Sequence, residues 1–517
     1  MTFLRAAFIA ALFTLIHPLQ AAANDVTLTS RDGAITLHGT LLGYDGEYYR
    51  VDTEYGILTV DGSGVICDGP GCPGLAPFVA SFTLSGAREM GSVLMPALIE
   101  GFALRRGFAL SREDIPGIGT MLNLYEGGEG GAKAASITVR QGSSSEGFAD
   151  LLSEQADIAL SLREVSGEER RMGREAGLGD LRGARQARVI ALDALVPVVS
   201  PMNPVRHLTM DQLAGIYAGD IDNWAMVGGE NAPITAYLLE ENEGFTDVFL
   251  ARVLHGVPGP NVLRKPTNTA LVSAVSADPF GIGISALSQP GDTEIITLSG
   301  ACGFETAATP QGIRAEDYPL TAPLYIYLPG RRLPKIAREF LTYLRSDAAQ
   351  LVIRRVGLVN QIPGVSPVDV QGRRLAHAIS LAGDEVGIDT LKNMAGLMMD
   401  YDRLSVTFRF RGGSSALDAP SLSNVHLLAH ALEAGRFDRR ALRFVGFTDG
   451  EGAAALNQRL ALRRAKAVMR AVLEAAETLN ESQLEFGAIA FGEALPMACD
   501  DSAWGRQVNR RVEVWLR

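Results

Sequence analysis

The residues with the clearest chemistry lie near the C-terminus, where an acid and a base are spaced so that they can meet. The pattern predicts a strand over 442–449 that ends in Thr448-Asp449-Gly450, followed by a helix from about Ala453. Asn457 and Arg464 are two helical turns apart, so they share one face of that helix. Because Asp449 lies in the loop that enters the helix, its carboxylate and the Arg464 guanidinium can border one shallow pocket. Such a pair suits a zwitterion, which carries both an ammonium and a carboxylate.

These residues belong to a longer pattern over 404–517 that resembles the OmpA-like peptidoglycan-binding domain. The pieces that carry the resemblance are Val445-Gly446-Phe447-Thr448-Asp449-Gly450, Asn457, Leu460-Ala461-Leu462-Arg463-Arg464-Ala465 and Asn509-Arg510-Arg511-Val512. The resemblance implies that Asp449 and Arg464 hold the diaminopimelate of the peptidoglycan stem peptide. Two positions depart from the family, since Phe447 stands where His is usual and Ala461 where Ser is frequent.

Each site residue also has a plainer interpretation when it is taken singly. Asp449 could be a turn residue that caps the helix, and Arg464 a solvated helix charge. One member of the pair Arg510-Arg511 should point to each face of the last strand. We interpret that pair as structural, with contact to the ligand or to Asp449 left open. The predicted peptidoglycan-binding set is Asp449, Asn457, Arg464, Arg510 and Arg511.

The start of the chain and the overall charge indicate an exported protein. A short positive start, an apolar run over 6–16 and the small residues before Asn24 predict a secretory signal peptide over 1–23. No later segment has the uninterrupted apolar length of a membrane span, so we expect a protein that does not span the membrane. The net charge of −12 without a concentrated basic face argues against nucleic acid as a partner. The expected location is the periplasm, in association with the cell wall or the outer membrane.

The cysteines and histidines bear on disulfides and metals. Cys67 and Cys72 bracket a turn sequence, which predicts a local disulfide in an oxidising compartment. The sequence does not pair Cys302 with Cys499, because the two fall in different predicted domains. The 7 histidines are scattered, and His426 and His430 lack a third ligand in the pattern, so we predict no metal site and no cofactor.

The pattern divides the rest of the chain into domains. Short alternating strands over 25–75 predict a small β domain, similar to an open barrel of the SH3 or Sm type. Strands alternate with helices over 76–365, which favours an α/β domain. Residues 366–403 are either a connecting pair of helices or the lead-in to the last domain. The predicted fold class is α/β, with an α+β domain at the C-terminus.

Polar turns follow several strands of the α/β domain, and together they suggest a converging cleft. A strand followed by a Ser- or Gly-rich turn and a helix N-terminus presents backbone N–H groups that can bind an anion. The candidate ligand-binding residues are Ser85, Gly86, Ala87, Arg88, Ser143, Ser144, Ser145, Ser161, Arg163 and Gly244. Ser143 to Ser145 keep the most donor-rich turn, whereas Arg88 and Arg163 could equally be solvated surface charges.

The same domain resembles the phosphate-binding component of ABC importers, a periplasmic-binding-protein fold with two lobes that close on a tetrahedral oxyanion. The stretches that carry this resemblance include Asn203-Pro204-Val205, Asn223-Trp224, Phe280-Gly281-Ile282-Gly283-Ile284 and Tyr318-Pro319-Leu320. The sequence departs from the family at the ligand turns. Leu239 replaces an Arg, Glu243 replaces a Ser, and Ser161-Leu162 lacks the carboxylate that accepts a proton from hydrogen phosphate.

Together the patterns predict a non-catalytic periplasmic protein that binds peptidoglycan and carries a phosphate-type solute-binding module. Its ligand would be phosphate or another small oxyanion, and an ABC permease partner is left open. The alternative is a wall-anchored scaffold whose lobes no longer bind a solute. An enzyme is disfavoured because the sequence has neither a G-x-S-x-G elbow nor a metal-ligand pattern.

Overall fold

The computed structural model describes residues 25–517 apart from 75–77, 129, 184, 241–243, 301, 367, 384, 412–413, 415 and 501–502. The predicted signal peptide and the replaced residue Glu243 therefore lie outside the described residues. Within the described part of the chain, no helix has both the length and the apolar character needed to cross a membrane.

The N-terminal domain is an open antiparallel sheet rather than a closed barrel. Its strands are β1 (Asp25–Ser30), β2 (Thr36–Tyr44), β3 (Tyr48–Thr53), β4 (Gly56–Asp61) and β5 (Val65–Asp68). They lie in the order β4-β3-β2-β1-β5, and within the described residues β4 and β5 do not pair with each other. Val26, Leu28 and Val51 form a small core. The predicted disulfide between Cys67 and Cys72 is present.

The two-lobed domain is built on one sheet of eleven strands that continues from lobe to lobe. The elements of its first half are β6 (Ala80–Ala87), α1 (Met95–Arg106), β7 (Ala109–Ile115), β8 (Gly119–Tyr125), β9 (Lys133–Gly142), α2 (Ser144–Leu152), β10 (Ile158–Ser161), α3 (Gly167–Glu175) and β11 (Ala187–Val199). Those of the second half are β12 (His207–Thr209), α4 (Met210–Ala218), β13 (Thr235–Leu239), α5 (Gly244–Phe249), β14 (Leu263–Lys265), α6 (Asn268–Ala277), β15 (Gly281–Ala286), β16 (Glu294–Ile295), β17 (Thr297–Ser299), β18 (Glu305–Thr306), α7 (Pro310–Arg314), β19 (Thr321–Tyr327), α8 (Lys335–Tyr343) and α9 (Asp347–Arg355).

The sheet order explains how the lobes are joined. Strands run in the order β14-β13-β15-β11-β19-β10-β6-β9-β8-β7, with β16 beside β11. The first part of β11 pairs with β19 and its second part with β15, so β11 passes from one lobe to the other. The pairs β6–β9, β6–β10 and β13–β15 are parallel, as expected for strands connected by helices. The antiparallel hairpin β7–β8 makes the sheet mixed.

Helix caps fix where the polar turns begin and end. Ser143 caps α2 in a capping box, since its Oγ accepts from the Glu146 N–H and the Glu146 side chain accepts from the Ser143 N–H. Ser166 with Glu169 starts α3 in the same way. The S-x-x-E spacing in the sequence therefore sets the helix starts that follow β9 and β10.

The C-terminal domain has a five-stranded sheet that is covered by helices on both faces. Its elements are β20 (Val365–Ser366), α10 (Val368–Leu381), α11 (Ile388–Asp400), β21 (Asp402–Arg409), α12 (Ala419–Glu433), β22 (Ala441–Phe447), α13 (Ala454–Ala475), β23 (Glu485–Gly492), α14 (Ala503–Asn509) and β24 (Arg511–Leu516). The sheet order is β20-β21-β24-β22-β23. Val512, Val514 and Leu516 face the core shared with α12 and α13, as their alternation predicts.

The segment 366–403 packs on this last domain. Met394 and Met398 of α11 form a core cluster with Phe447 and Trp515, on the sheet face opposite α12 and α13. Strand β20 adds to the sheet edge beside β21. The structure therefore supports the lead-in interpretation rather than a free connector.

The C-terminal domain also contacts both lobes. A disulfide joins Cys302 to Cys499, the pairing that the sequence did not provide. The Arg403 guanidinium pairs with Asp317, and on the other lobe the Val189 N–H donates to Ser423 Oγ at 3.1 Å. The C-terminal domain is thus attached to both lobes by a disulfide bond and by polar contacts.

Candidate functional site

The structure brings Asp449, Arg464 and Arg510 together at one end of the C-terminal sheet. Asp449 follows β22 and its carboxylate pairs with the Arg510 guanidinium. Arg464 lies on α13, where its guanidinium stacks 4.7 Å from the centre of the Phe410 ring. Asp449 and Arg464 are each 7% exposed. The predicted acid–base pair therefore lies on one side of the domain, in a largely desolvated setting.

Arg464 has fewer hydrogen-bond partners than a buried guanidinium normally has. Among the residues that the structure describes, its Nε and Nη1 atoms have no hydrogen-bond partner, and Nη2 reaches only the Ser414 carbonyl oxygen at 3.5 Å. Burial lowers the pKa of Arg464, and the neighbouring Arg510 lowers it further, whereas Asp449 raises it. An unpaired, desolvated guanidinium is costly, and a carboxylate that accepts from these two nitrogens would offset that cost.

The loop around Asp449 is held by neighbours on three elements. Asn457 donates from Nδ2 to the Glu451 carbonyl at 3.2 Å and to the Asp449 carbonyl at 3.4 Å. The Gly450 N–H donates to Asp500 at 2.7 Å. Asn457 therefore orients the loop through main-chain contacts.

The prediction that Arg511 belongs to this site is wrong. Arg511 is fully buried, and it donates from Nε to Glu513 at 2.8 Å and from Nη2 to the Leu495 carbonyl at 2.8 Å. Its guanidinium stacks 4.4 Å from the centre of the Phe447 ring. The two side chains thus point in different directions at the start of β24. Arg510 faces Asp449, and Arg511 lies in the interior between the sheet and α10.

In the two-lobed domain, the predicted serines are engaged with other protein groups. Ser85 donates to Asp150 at 2.6 Å, and Ser143 caps α2. Ser144 Oγ accepts from the Leu162 N–H at 3.1 Å. Arg163 donates to Ser145 at 2.9 Å, and Ser161 donates to the Arg163 carbonyl at 2.8 Å. All five hydroxyl oxygens therefore have a protein partner, and Ser85 and Ser161 also use their O–H donor within the protein.

The cleft turns converge on a leucine rather than on a polar group. Leu162 is buried, and a Cβ on Gly244 would lie 2.9 Å from Leu162 Cδ1. Gly86 has a φ of +136°, and a Cβ there would lie 2.1 Å from the Leu160 carbonyl oxygen. Ala87 is buried and Arg88 is exposed at the end of β6. Gly86 and Gly244 therefore leave no room for a side chain beside β10 and Leu162.

The space between the lobes is lined by acids as well as by bases. A cavity of about 520 Å³ is bordered by Arg163, Asp247, Glu164 and Glu316, and by Trp504 of the C-terminal domain. Burial raises the pKa of Asp247 and that of Glu164. Arg163 is itself paired with Glu169 at 2.8 Å. Sequence reasoning missed Asp247, although its place in the first turn after Gly244 was a usable signal.

Two family models match the chain. One, described as a PBP superfamily domain, matches residues 120–348, and one described as the OmpA family matches residues 409–510. The chain therefore joins a domain of the periplasmic-binding-protein fold to an OmpA-family domain.

Several characterised proteins are similar to parts of the chain. Protein SphX of Synechococcus elongatus is 28% identical over 241 residues, which are 44% of this chain and 69% of that protein. The phosphate-binding protein PstS of Bacillus subtilis is 29% identical over 163 residues, 31% of this chain and 52% of that protein. The outer membrane porin F of Pseudomonas aeruginosa is 34% identical over 114 residues, 22% of this chain and 30% of the porin. The chain therefore spans about half of the Bacillus protein and under a third of the porin.

Among solved structures, an ABC-type phosphate transport receptor from Vibrio cholerae is similar with 22% identity and a TM-score of 0.42. The match covers 54% of this chain and 99% of that chain. PstS from Borrelia burgdorferi is similar with 18% identity and a TM-score of 0.38, covering 54% of this chain and 98% of that chain.

Proposed function

We propose that this protein is a non-catalytic component of the periplasm that binds peptidoglycan through its C-terminal domain. The ligand group would be the diaminopimelate of the stem peptide, whose carboxylate would accept from Arg464 and whose ammonium would face Asp449. Arg510 would hold the Asp449 carboxylate in place. The observation that carries the proposal is the Arg464 guanidinium, buried beside Asp449 with two nitrogens that have no partner in the described part of the chain.

The test is co-sedimentation of the full chain with purified peptidoglycan sacculi. We expect Asp449→Asn and Arg464→Ala each to weaken binding by about tenfold or more, because each removes a desolvated charge contact with the ligand. The parent chain should also bind more weakly to sacculi whose stem peptides carry lysine in place of diaminopimelate.

Matched controls separate this site from general surface charge. Asp438→Asn and Arg470→Ala change exposed residues outside the site and should leave pelleting as in the parent chain. Circular dichroism of each variant checks that the fold is kept. Undiminished pelleting of folded Asp449→Asn and Arg464→Ala variants would remove the assignment.

For the two-lobed domain, we propose a structural role in place of phosphate capture in the manner implied by the resemblance. Leu162 occupies the position of the expected carboxylate, it packs against Gly244, and the neighbouring hydroxyls are engaged with protein groups. Asp247 and Glu164 line the same cleft, and each would repel an anion when its carboxyl is ionised.

The test is phosphate binding by the full chain and by Arg163→Ala. If the cleft does not hold phosphate, any phosphate binding that calorimetry detects should have the same affinity in both proteins. A loss of phosphate affinity in Arg163→Ala, with the fold retained, would restore the cleft as an oxyanion site.

A further inference from the structure

A second polar cavity lies where the two-lobed domain meets the C-terminal domain. It has a volume of about 340 Å³, and its wall includes Phe304 and Asp317 from one domain with Arg373, Arg374 and Arg403 from the other. None of these residues belongs to the interlobe turns or to the Asp449 site. The volume is within the range of small-molecule pockets.

One wall of this cavity is backed by a buried cluster with more arginines than acids. Arg374, Arg403 and Arg511 all pair with the single carboxylate of Glu513, the last two at 3.1 Å and 2.8 Å. Arg403 also pairs with Asp317. Three guanidiniums thus face two carboxylates, and Arg403 and Arg511 are 3% and 0% exposed.

The adjoining pair does not correct this imbalance. Arg409 lies 3.3 Å from Glu316, and burial raises the pKa of Glu316 to about 7. That carboxyl is therefore partly protonated at neutral pH and balances at most its own partner. A net positive charge buried away from water carries a large desolvation cost unless a counter-charge is nearby.

Two side chains that border the cavity carry a buried nitrogen that has no hydrogen-bond partner among the described residues. These nitrogens are Nε of Arg374, a residue that is 7% exposed, and Nε2 of His377. Arg373 is exposed beside the cavity and has no ion-pair partner among the residues that the structure describes. Leu404 and Met497 give the wall an apolar part.

We propose that this cavity binds a small organic anion whose carboxylate or phosphate group is held by Arg373, Arg374 and His377. The anion balances the excess charge of the cluster around Glu513, and its carbon skeleton packs against Phe304 and Met497. Because the wall comes from two domains, an occupant also strengthens their contact. This proposal is independent of peptidoglycan binding and of the interlobe cleft.

The probes are citrate and inorganic phosphate, each titrated calorimetrically into the full chain. We expect citrate to bind and to raise the thermal unfolding midpoint, as a ligand of the native state does. Arg373→Ala should weaken citrate binding by about tenfold or more, since it removes one charge-assisted contact without disturbing an ion pair. His377→Phe keeps the ring contact with Phe304, whose centroid lies 4.9 Å away, and should also weaken binding.

Two control variants distinguish this cavity from other sites. Arg470→Ala removes an exposed arginine from α13 and should bind citrate like the parent chain, as should Arg163→Ala in the interlobe cleft. Failure of both probes to bind at millimolar concentration would overturn the proposal. Binding that is lost in Arg163→Ala and kept in Arg373→Ala would overturn it as well, and would leave the peptidoglycan assignment untouched.

Discussion

At the scale of single residues, Arg510 and Arg511 show how neighbours in sequence acquire different roles. Arg510 is partly exposed and pairs with Asp449 at the surface of the proposed wall site. Arg511 is fully buried beside Glu513 and stacks on Phe447. The difference arises at the first residue of β24, because successive side chains of a strand point to opposite faces.

Substitution of the two arginines should therefore have different effects on stability and on sacculus binding. Arg511→Ala should lower the free energy of unfolding by roughly 3 kcal/mol, because it empties buried volume and leaves Glu513 with one donor fewer. Arg510→Ala should lower that free energy by less, about 1–2 kcal/mol, because Arg510 is partly exposed although its loss leaves the buried Asp449 carboxylate without its ion pair, and it should weaken sacculus binding. Urea denaturation and co-sedimentation measure the two effects. Equal destabilisation by both substitutions would contradict this division.

At the scale of elements, the polar turns of the two-lobed domain are explained by helix starts and close strand packing. Ser143 begins α2 through its capping box, and Ser144 holds the Leu162 N–H after β10. Gly86 lets β6 approach β10 closely. The polar groups of a turn that resembles an anion site in sequence can therefore be used to cap a helix and to bind neighbouring main-chain groups.

Ser143 tests this interpretation directly. Ser143→Ala should reduce the free energy of unfolding by about 1 kcal/mol, the usual cost of losing an N-cap hydroxyl. Ser143→Asp keeps a capping acceptor and should recover most of the loss, although it adds a negative charge. If phosphate binds and Ser143→Asp abolishes that binding at unchanged stability, the hydroxyl is a ligand contact instead.

At the scale of the whole molecule, the C-terminal domain is fastened over the mouth of the interlobe cavity. The Cys302–Cys499 disulfide lies on one side of this contact, and Asp418, the N-cap of α12, lies on the other beside Glu164. The loop that carries Cys499 continues to Asp500, which holds the Gly450 N–H beside the proposed wall site. The wall site and the lobes therefore share a loop.

This contact should make stability depend on pH. Burial raises the pKa of Glu316 from 4.5 to about 7, with Asp418 and Asp317 raising it and Arg409 and Arg252 lowering it. A carboxyl with a raised folded-state pKa contributes stability that is complete below its unfolded pKa and is lost as the pH rises through its folded pKa. The free energy of unfolding should thus fall between about pH 4.5 and about pH 7, with a contribution from Glu316 on the order of 3 kcal/mol.

Glu316→Gln measures that contribution, because glutamine stays neutral at every pH. Urea denaturation across this range should give a flatter profile for the variant than for the parent chain. Burial raises the pKa of Asp193 to about 6, so part of the slope should remain. An unchanged slope in the variant would show that Glu316 does not titrate in this window.

The sequence by itself determined the elements whose signals are local. The alternation of Val512, Val514 and Leu516 predicts a strand with one buried face, and the two-turn spacing of Asn457 and Arg464 places them on one side of α13. Likewise, the sequence separation of five between Cys67 and Cys72 sets a short disulfide loop. These features depend on residues that are neighbours along the chain, so their geometry follows from helix and strand periodicity.

Only the tertiary structure decided which of these faces stay exposed and what the turns contain. Arg511 and Glu513 alternate with apolar residues along β24, but α10 and α11 cover their face of the sheet and bury both charges. The Cys302–Cys499 bond and the packing of Leu162 on Gly244 likewise join segments far apart in sequence. Contacts of this kind depend on how separate domains and strands dock, and no local periodicity encodes that docking.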